Sequence, residues 1–513
     1  MEGRLLRFLR HDVVRRTFGI DLRSLAALRI GLGLLLLADL GTRAPFLSAH
    51  LSDSGILPRE DVSAFTLYSL GGSTLFAGFL FAVAAAFALL LLVGRFTRVA
   101  TLASWVLLVS LHLRNPYLID SGDKLLALLL FWGIFLPLGT RASLDARTRG
   151  PSAFETDLIC TPASLALLLQ VAFVYVFSAL LKDGPLWLKD GTAIYYALHV
   201  DLITTDFGRS LLRYPAALRV LSRGTWLLEL FGPFLAFVPV GSAWFRIAMV
   251  AAFVALHIGF ALCFHLVLFP YVCIVAWLAF LPSAFWDALQ RTRIAQGTRS
   301  FASTLIRGLP RSRRGPSPSL GTAAEVLAAV ILVYVFWWNA GTVLPKLAVP
   351  ESLRPLGEQL CLRQKWSMFA SPLRADGWWV MPATLQDGSE VDLHTGAAPV
   401  RWEKPEDVAA TFPTSRCMKW LTYAWGASGP EHRDLIASYA AWLRREWDAR
   451  HAAPERVESL RILYRAEETR PDDLPPYRCD LLLYEWKSGA GEHVVPFAES
   501  LVALQAARAA GAK

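Results

Sequence analysis

Residues 72–94 read GSTLFAGFLFAVAAAFALLLLVG, 23 positions without one charged side chain. At about 1.5 Å of rise per residue, a helix of that length crosses the roughly 30 Å hydrocarbon core of a bilayer. Outward from this run, eight more apolar stretches recur, near 23–42, 99–113, 124–139, 162–181, 224–241, 246–264, 268–286 and 322–344. They predict a polytopic α-helical membrane bundle of about nine transmembrane helices. Charged residues make up 18% of the chain, against about 25% in soluble proteins. The bilayer is therefore the first expected partner.

Basic residues give the expected orientation. Arg4, Arg7, Arg10, Arg15 and Arg16 precede the first span, Arg95 and Arg98 follow the second, and Arg141, Arg147 and Arg149 follow the fourth. The run RTRIAQGTRSFASTLIRGLPRSRRG precedes the last. The positive-inside rule places these segments, and the N-terminus, in the cytoplasm. An odd number of spans then leaves everything after residue 345 outside it. The net charge of +9 sits largely in short loops, so it reads as topology and not as nucleic-acid binding. Forty-two arginines against nine lysines suggest a bacterial source, hence a multi-pass inner-membrane protein. The start, MEGRLLRFLRHDVVRRTFGIDLR, lacks a small-residue cleavage site and reads as an amphipathic cytoplasmic segment.

The predicted organisation is a basic segment 1–22, a membrane domain 23–287, a basic loop 288–320, a last helix 321–345, and a water-soluble α+β domain 346–513. In that domain WWVMPATL, SEVDLHTG, SLRILYRAEET and CDLLLYEW read as strands, with a hairpin turn at Asp387-Gly388. Glu431–Arg450 and Phe497–Ala510 read as helices. Within the membrane domain, WLKDGTAIYYALHVDLITTDFG and RSLLRYPAALRVL predict two short helices lying on the membrane surface. Six cysteines lack any CxxC or zinc spacing, so no metal is assigned. One disulfide among Cys361, Cys417 and Cys479 is open if their domain is extracytoplasmic.

Ionisable groups inside a membrane call for an explanation. Lys182 ends the fifth run, in VYVFSALLKDGPLW. Apolar surroundings disfavour a charged amine, and a neutral amine is a base or a nucleophile. The opposing reading is a lysine that snorkels into water, or one neutralised by Asp183. Arg29 and Glu229 lie inside the first and sixth runs, either as a structural ion pair or with Glu229 in a substrate cavity. His257 and His265 stand eight positions apart, about 80° around an ideal helix, which is poor geometry for a shared metal. Tyr175, Tyr195 and Tyr196 line an aromatic pocket or anchor the interface. Asn115, Asp120 and Asp123 shape a loop in HLRNPYLIDSGDK.

Several of these stretches together resemble the HTTM domain of vitamin K-dependent gamma-carboxylases and their bacterial relatives. They are LAALRIGLGLLLLADL, the SLDA after the fourth run, FSALLKDGPLWLKDGTAIYYAL, LLELFGPFLAF and LHIGFALCFHLVLFPYV, in family order over Leu25–Asp287. WSMFASPLRADGWWVMPATLQDG is similar to the domain that follows in bacterial members. The resemblance implies that Lys182, with Trp187 five residues on, is the base that deprotonates a reduced vitamin K or another quinol. It also implies roles for Glu229, His257 and Arg29, with Tyr195 added here as a cavity residue. The co-substrates implied are O2 and CO2: the quinol anion reacts with O2 to give a strong base, which removes a Cγ proton from glutamate of a secreted protein or peptide so that CO2 adds there. One departure stands out: Gly122 or Asp123 falls where the family has a catalytic histidine. Two other functions compete. A non-catalytic membrane protein would bind or mature a secreted partner through its last domain. A transporter would use Arg29 and Glu229, but no inverted repeat accompanies them.

Overall fold

In the computed structural model, residues 13–149, 157–182, 184–291, 321–426, 430–470, 474–496 and 502 are described. The expected helix Phe497–Ala510, Asp183, most of the basic loop and the first twelve residues lie outside them.

The first helix, α1 (Leu22–Arg43), starts where Asp21 accepts the Arg23 backbone N–H at 2.8 Å. A short strand β1 (Ile20–Asp21) before it pairs with β2 (Leu158–Ile159). After α1 come α2 (Leu47–Leu51), α3 (Thr74–Val93), α4 (Thr97–Arg114), α5 (Ser121–Ile134) and α6 (Pro162–Leu180). The chain continues through α7 (Ala193–Leu198), α8 (Asp206–Ser210), α9 (Pro215–Leu235), α10 (Ser242–Cys263), α11 (Phe269–Trp277), α12 (Ser283–Gln290) and α13 (Thr322–Val343).

Among the described residues, five helical stretches are long and apolar enough to cross a bilayer: Leu22–Leu51, Thr74–Val93, Pro162–Leu180, Ser242–Cys263 and Thr322–Val343. Phe269–Phe280 and Ser283–Gln290, bent by 94°, bring the number to six if they act as one span. The nine expected runs thus resolve into fewer qualifying helices, for physical reasons. Helix α5 has 14 residues, about 21 Å of rise, and is buried on nearly every side by its neighbours. Helix α9 carries Arg219, Arg223 and Glu229. It also absorbs the second expected surface helix, because Pro215 begins a continuous helix that runs through RVLSRGTWLLELF. The first expected surface helix breaks into α7 and α8.

The C-terminal domain holds strands β3 (Ala375–Val380), β4 (Pro382–Leu385), β5 (Glu390–Asp392), β6 (Val457–Glu468), β7 (Tyr477–Lys487) and β8 (Gly491–Val494). They form one antiparallel sheet in the order β5-β4-β6-β7-β8, with β3 also paired to the long β6. The Asp387-Gly388 turn joins β4 to β5 as expected, with Gly388 at φ +82°. Helices α14 (Ser415–Gly426) and α15 (Pro430–Asp448) pack against the sheet through Trp420, Leu421, Ile436 and Ala440. Ile56, Leu57 and Leu118 from the membrane domain enter that same core.

In return, Leu362 and Trp366 bury themselves in the helical bundle. Gln364 and Gln170 of α6 exchange two amide hydrogen bonds of 2.9 Å. Asn339 and Trp366 also donate to the Gln364 oxygen. The segment after α13 is therefore a strap laid back into the bundle. All six cysteines are free. The disulfide left open among the last three does not form: Cys361 lies on the strap, Cys417 on α14 beside His50, and Cys479 on β7 opposite Ala466.

Candidate functional site

Helix α6 brings the site together. Thr161 caps its N-terminus by a reciprocal bond with Ser164, and Pro162 fits the first turn. Tyr175, Ser178 and Lys182 follow at intervals of three and four, so they share one face. Lys182 lies just past the helix end, yet its side chain turns inward. Its Nζ donates to Ser178 Oγ at 2.7 Å and makes a short ion pair with Glu229 of α9. Lys182 is 4% exposed and Glu229 5%. This overturns the snorkelling alternative. The Arg29–Glu229 pair does not form either: Glu229 pairs with Lys182, and Arg29 donates to the Ala142 carbonyl at 2.6 Å. Gly94, at φ +71°, is required there, since a Cβ would fall 1.4 Å from an Arg29 Nη.

The Lys182 amine stands 4.9 Å from the Trp187 ring centre. The indole N–H of Trp187 in turn donates to the Phe369 carbonyl at 2.9 Å. Across the site, Tyr175 Oη and His257 Nε2 are hydrogen-bonded at 2.7 Å. His257 Nδ1 is buried without a partner among the described residues. Together these groups line a cavity of about 30 Å³ walled by Phe260, Phe264, Phe269, Met368 and Phe369. That volume holds one or two water molecules.

Of the residues expected at the site, Lys182, Trp187, Glu229 and His257 meet around the cavity. Arg29 does not. Nor does Tyr195, whose ring packs on His199 at 4.3 Å while Ile194 and Ala197 of the same helix face the cavity. His265 lies beyond the end of α10 and is exposed, so it shares no helix face with His257. Gly122 touches the cavity's outer wall: a Cβ there would meet Phe269 Cα at 2.8 Å. Asp123 turns away to Arg43 and Arg416. Neither position offers room or reach for an imidazole equivalent.

Sequence reasoning missed Ser178, Thr225, Met368 and Phe369. Ser178 was readable as the residue one turn before Lys182. Met368 and Phe369 were not, since only the strap's return through the Gln170–Gln364 pair carries them to the site. Among the described residues no group of three or more His, Cys, Asp or Glu is arranged to hold a metal ion.

The arrangement offers a buried amine hydrogen-bonded to a carboxylate, a hydroxyl–imidazole pair, and aromatic walls. Such a set of groups can carry proton transfer in a water-poor site. Compared with known proteins, residues 19–286, just over half of the chain, match the model of the HTTM-domain family. No curated protein and no solved structure matches the chain.

Proposed function

Because the chain belongs to the HTTM-domain family, we propose that it is a membrane enzyme that oxidises a quinol with Lys182 as the base. The observation that carries this reading is the buried Lys182–Glu229 pair at the wall of an aromatic cavity. Moving the shared proton to Glu229 leaves a neutral amine, able to take the proton of a quinol hydroxyl. Ser178 holds Nζ in place. The unpartnered His257 Nδ1 offers one polar contact to the ring. Tyr175 fixes the imidazole through its other nitrogen. The cavity is smaller than a quinone ring, so binding requires Met368 and Phe369 to move aside.

The family's wider chemistry extends the proposal. O2 would be the oxidant, CO2 the second substrate, and glutamate in a secreted protein or peptide the acceptor. Without a histidine at Gly122 or Asp123, the carboxylation step needs another group, and quinol oxidation is the firmer half. The corresponding placement is a bacterial inner membrane, multi-pass, with the N-terminus cytoplasmic and the α+β domain outside.

The test is turnover of a reduced vitamin K or other naphthoquinol by the purified full chain, followed spectrally under O2. Lys182→Met keeps the apolar stem and removes the base. Wild type should oxidise the quinol faster than buffer, and Lys182→Met should not, while still unfolding in one cooperative thermal transition. Equal turnover by a folded Lys182→Met protein would remove Lys182 from the mechanism.

A further inference from the structure

A second, larger cavity of about 470 Å³ lies where the C-terminal domain meets α2. Its volume is in the range of small-molecule sites, about 300–1,000 Å³, which gather at domain junctions. Phe46, from the turn after α1, lines one wall, and α15 supplies Tyr439, Trp442 and Trp447. Glu446 and Arg450 complete the lining from that helix face. They pair at 2.7 Å with side chains 39% and 71% exposed, so they stand where the cavity meets solvent. An exposed pair of this kind contributes little by itself, and a ligand bearing both charges can replace it. The Trp442 indole N–H is buried and has no acceptor among the described residues.

Depth in the bilayer narrows the ligand. The helical stretch Leu22–Leu51 has 30 residues, about 45 Å of rise, the thickness of a bilayer with its headgroups. Its far end, holding Phe46, therefore lies at headgroup depth. Tryptophan and tyrosine favour that layer.

We infer that this junction cavity seats the headgroup of a zwitterionic phospholipid, a phosphoethanolamine. Its ammonium faces Glu446, its phosphate faces Arg450, and an oxygen of the headgroup or ester linkage accepts the Trp442 N–H. The glycerol and first acyl carbons pack on the rings, and the tails return to the bilayer. Neither a purely anionic nor a purely cationic head satisfies both charges. The seat would hold the C-terminal domain against the membrane surface independently of Lys182 chemistry.

Calorimetric titration of the detergent-purified full chain tests this with three probes. Dihexanoyl-phosphatidylethanolamine carries both head and tails, dihexanoyl-phosphatidylglycerol lacks the ammonium, and free phosphoethanolamine lacks the tails. The ethanolamine lipid should bind saturably, and the glycerol lipid roughly tenfold more weakly. Trp442→Ala should weaken the ethanolamine lipid by about tenfold. Glu446→Gln and Arg450→Gln, both at exposed positions, should each weaken it several-fold at unchanged thermal midpoint. Equal binding of the two lipids, or wild-type binding by both Gln variants, overturns the proposal. Free phosphoethanolamine binding as tightly as the lipid overturns the membrane source and assigns the cavity to a soluble zwitterion.

Discussion

Two groups of buried charge differ in what they can do. At the junction, Arg416 of α14 reaches Asp123 at 2.8 and 3.0 Å and Asp39 at 2.5 Å. Arg43 binds the same two carboxylates at 3.0 and 2.9 Å. Two acids and two guanidiniums thus balance in charge, although the Arg416 Nε–H is buried without an acceptor among the described residues, and a guanidinium does not give up its proton in a protein. That network is locked as charge. At Lys182 one amine faces one carboxylate beside a cavity, and an amine can become neutral. The first arrangement holds two domains in register. The second is the pair on which the proposed proton transfer rests.

The sharpest way to test this contrast is to remove one cation from each. Lys182→Met should cut quinol turnover by about 10²–10⁴-fold, the range for losing a general base, while the fold persists because Glu229 can take up a proton and become neutral. Arg416→Met should do the reverse. It leaves Asp39 and Asp123 sharing Arg43 alone, a loss of about 3–5 kcal/mol for breaking a buried ionic group. Thermal unfolding would register it, and limited proteolysis should free the C-terminal domain. If Arg416→Met left both unchanged, the junction network would not be what holds the domains together.

A smaller effect separates ionic from neutral polar burial. Gln170→Leu leaves the strap's Gln364 amide without its reciprocal partner, at about 1–3 kcal/mol for an orphaned buried group. Because the strap carries Met368 and Phe369 to the cavity, the variant should also raise hydrogen exchange over residues 362–369. Unaltered exchange there would show that the strap is held by packing alone.

How much of this was readable in advance depends on the range of the interaction. The run Thr74–Val93 declares its helix by composition, and the Asp387-Gly388 turn declares its hairpin locally. Lys182, Trp187, Glu229 and His257 were legible as polar groups in apolar runs and as family landmarks. Arg29 and Tyr195 looked equivalent but were not, since sequence gives neither which face of α1 meets the 139–145 loop nor which side of α7 meets the cavity. Arg416 carried no signal at all. It sits in an ordinary amphipathic helix, and its partners are roughly 300 and 380 positions away in sequence.

Asp376 lies between the two extremes, a buried carboxylate without an ion-pair partner of its own among the described residues. It accepts the Asp201 backbone N–H at 2.6 Å. The nearby Lys404 is committed to Asp201 at 2.5 Å and Glu467 at 2.9 Å, while Arg209 also faces Asp201. Burial first, and then the Asp201 charge, push the Asp376 carboxyl up to about 7. From about pH 4, where an unfolded aspartate ionises, to about 7, the folded chain keeps a proton that the unfolded chain has released. Stability should therefore fall as pH rises through that window, by up to about 1.4 kcal/mol per unit from this group, and level off above it. Asp376→Asn cannot titrate, so its unfolding midpoint should decline less between pH 4 and 7 than the wild type's. Parallel pH profiles would mean that Asp376 stays ionised in the fold, and that Lys404 neutralises it together with Asp201 and Glu467.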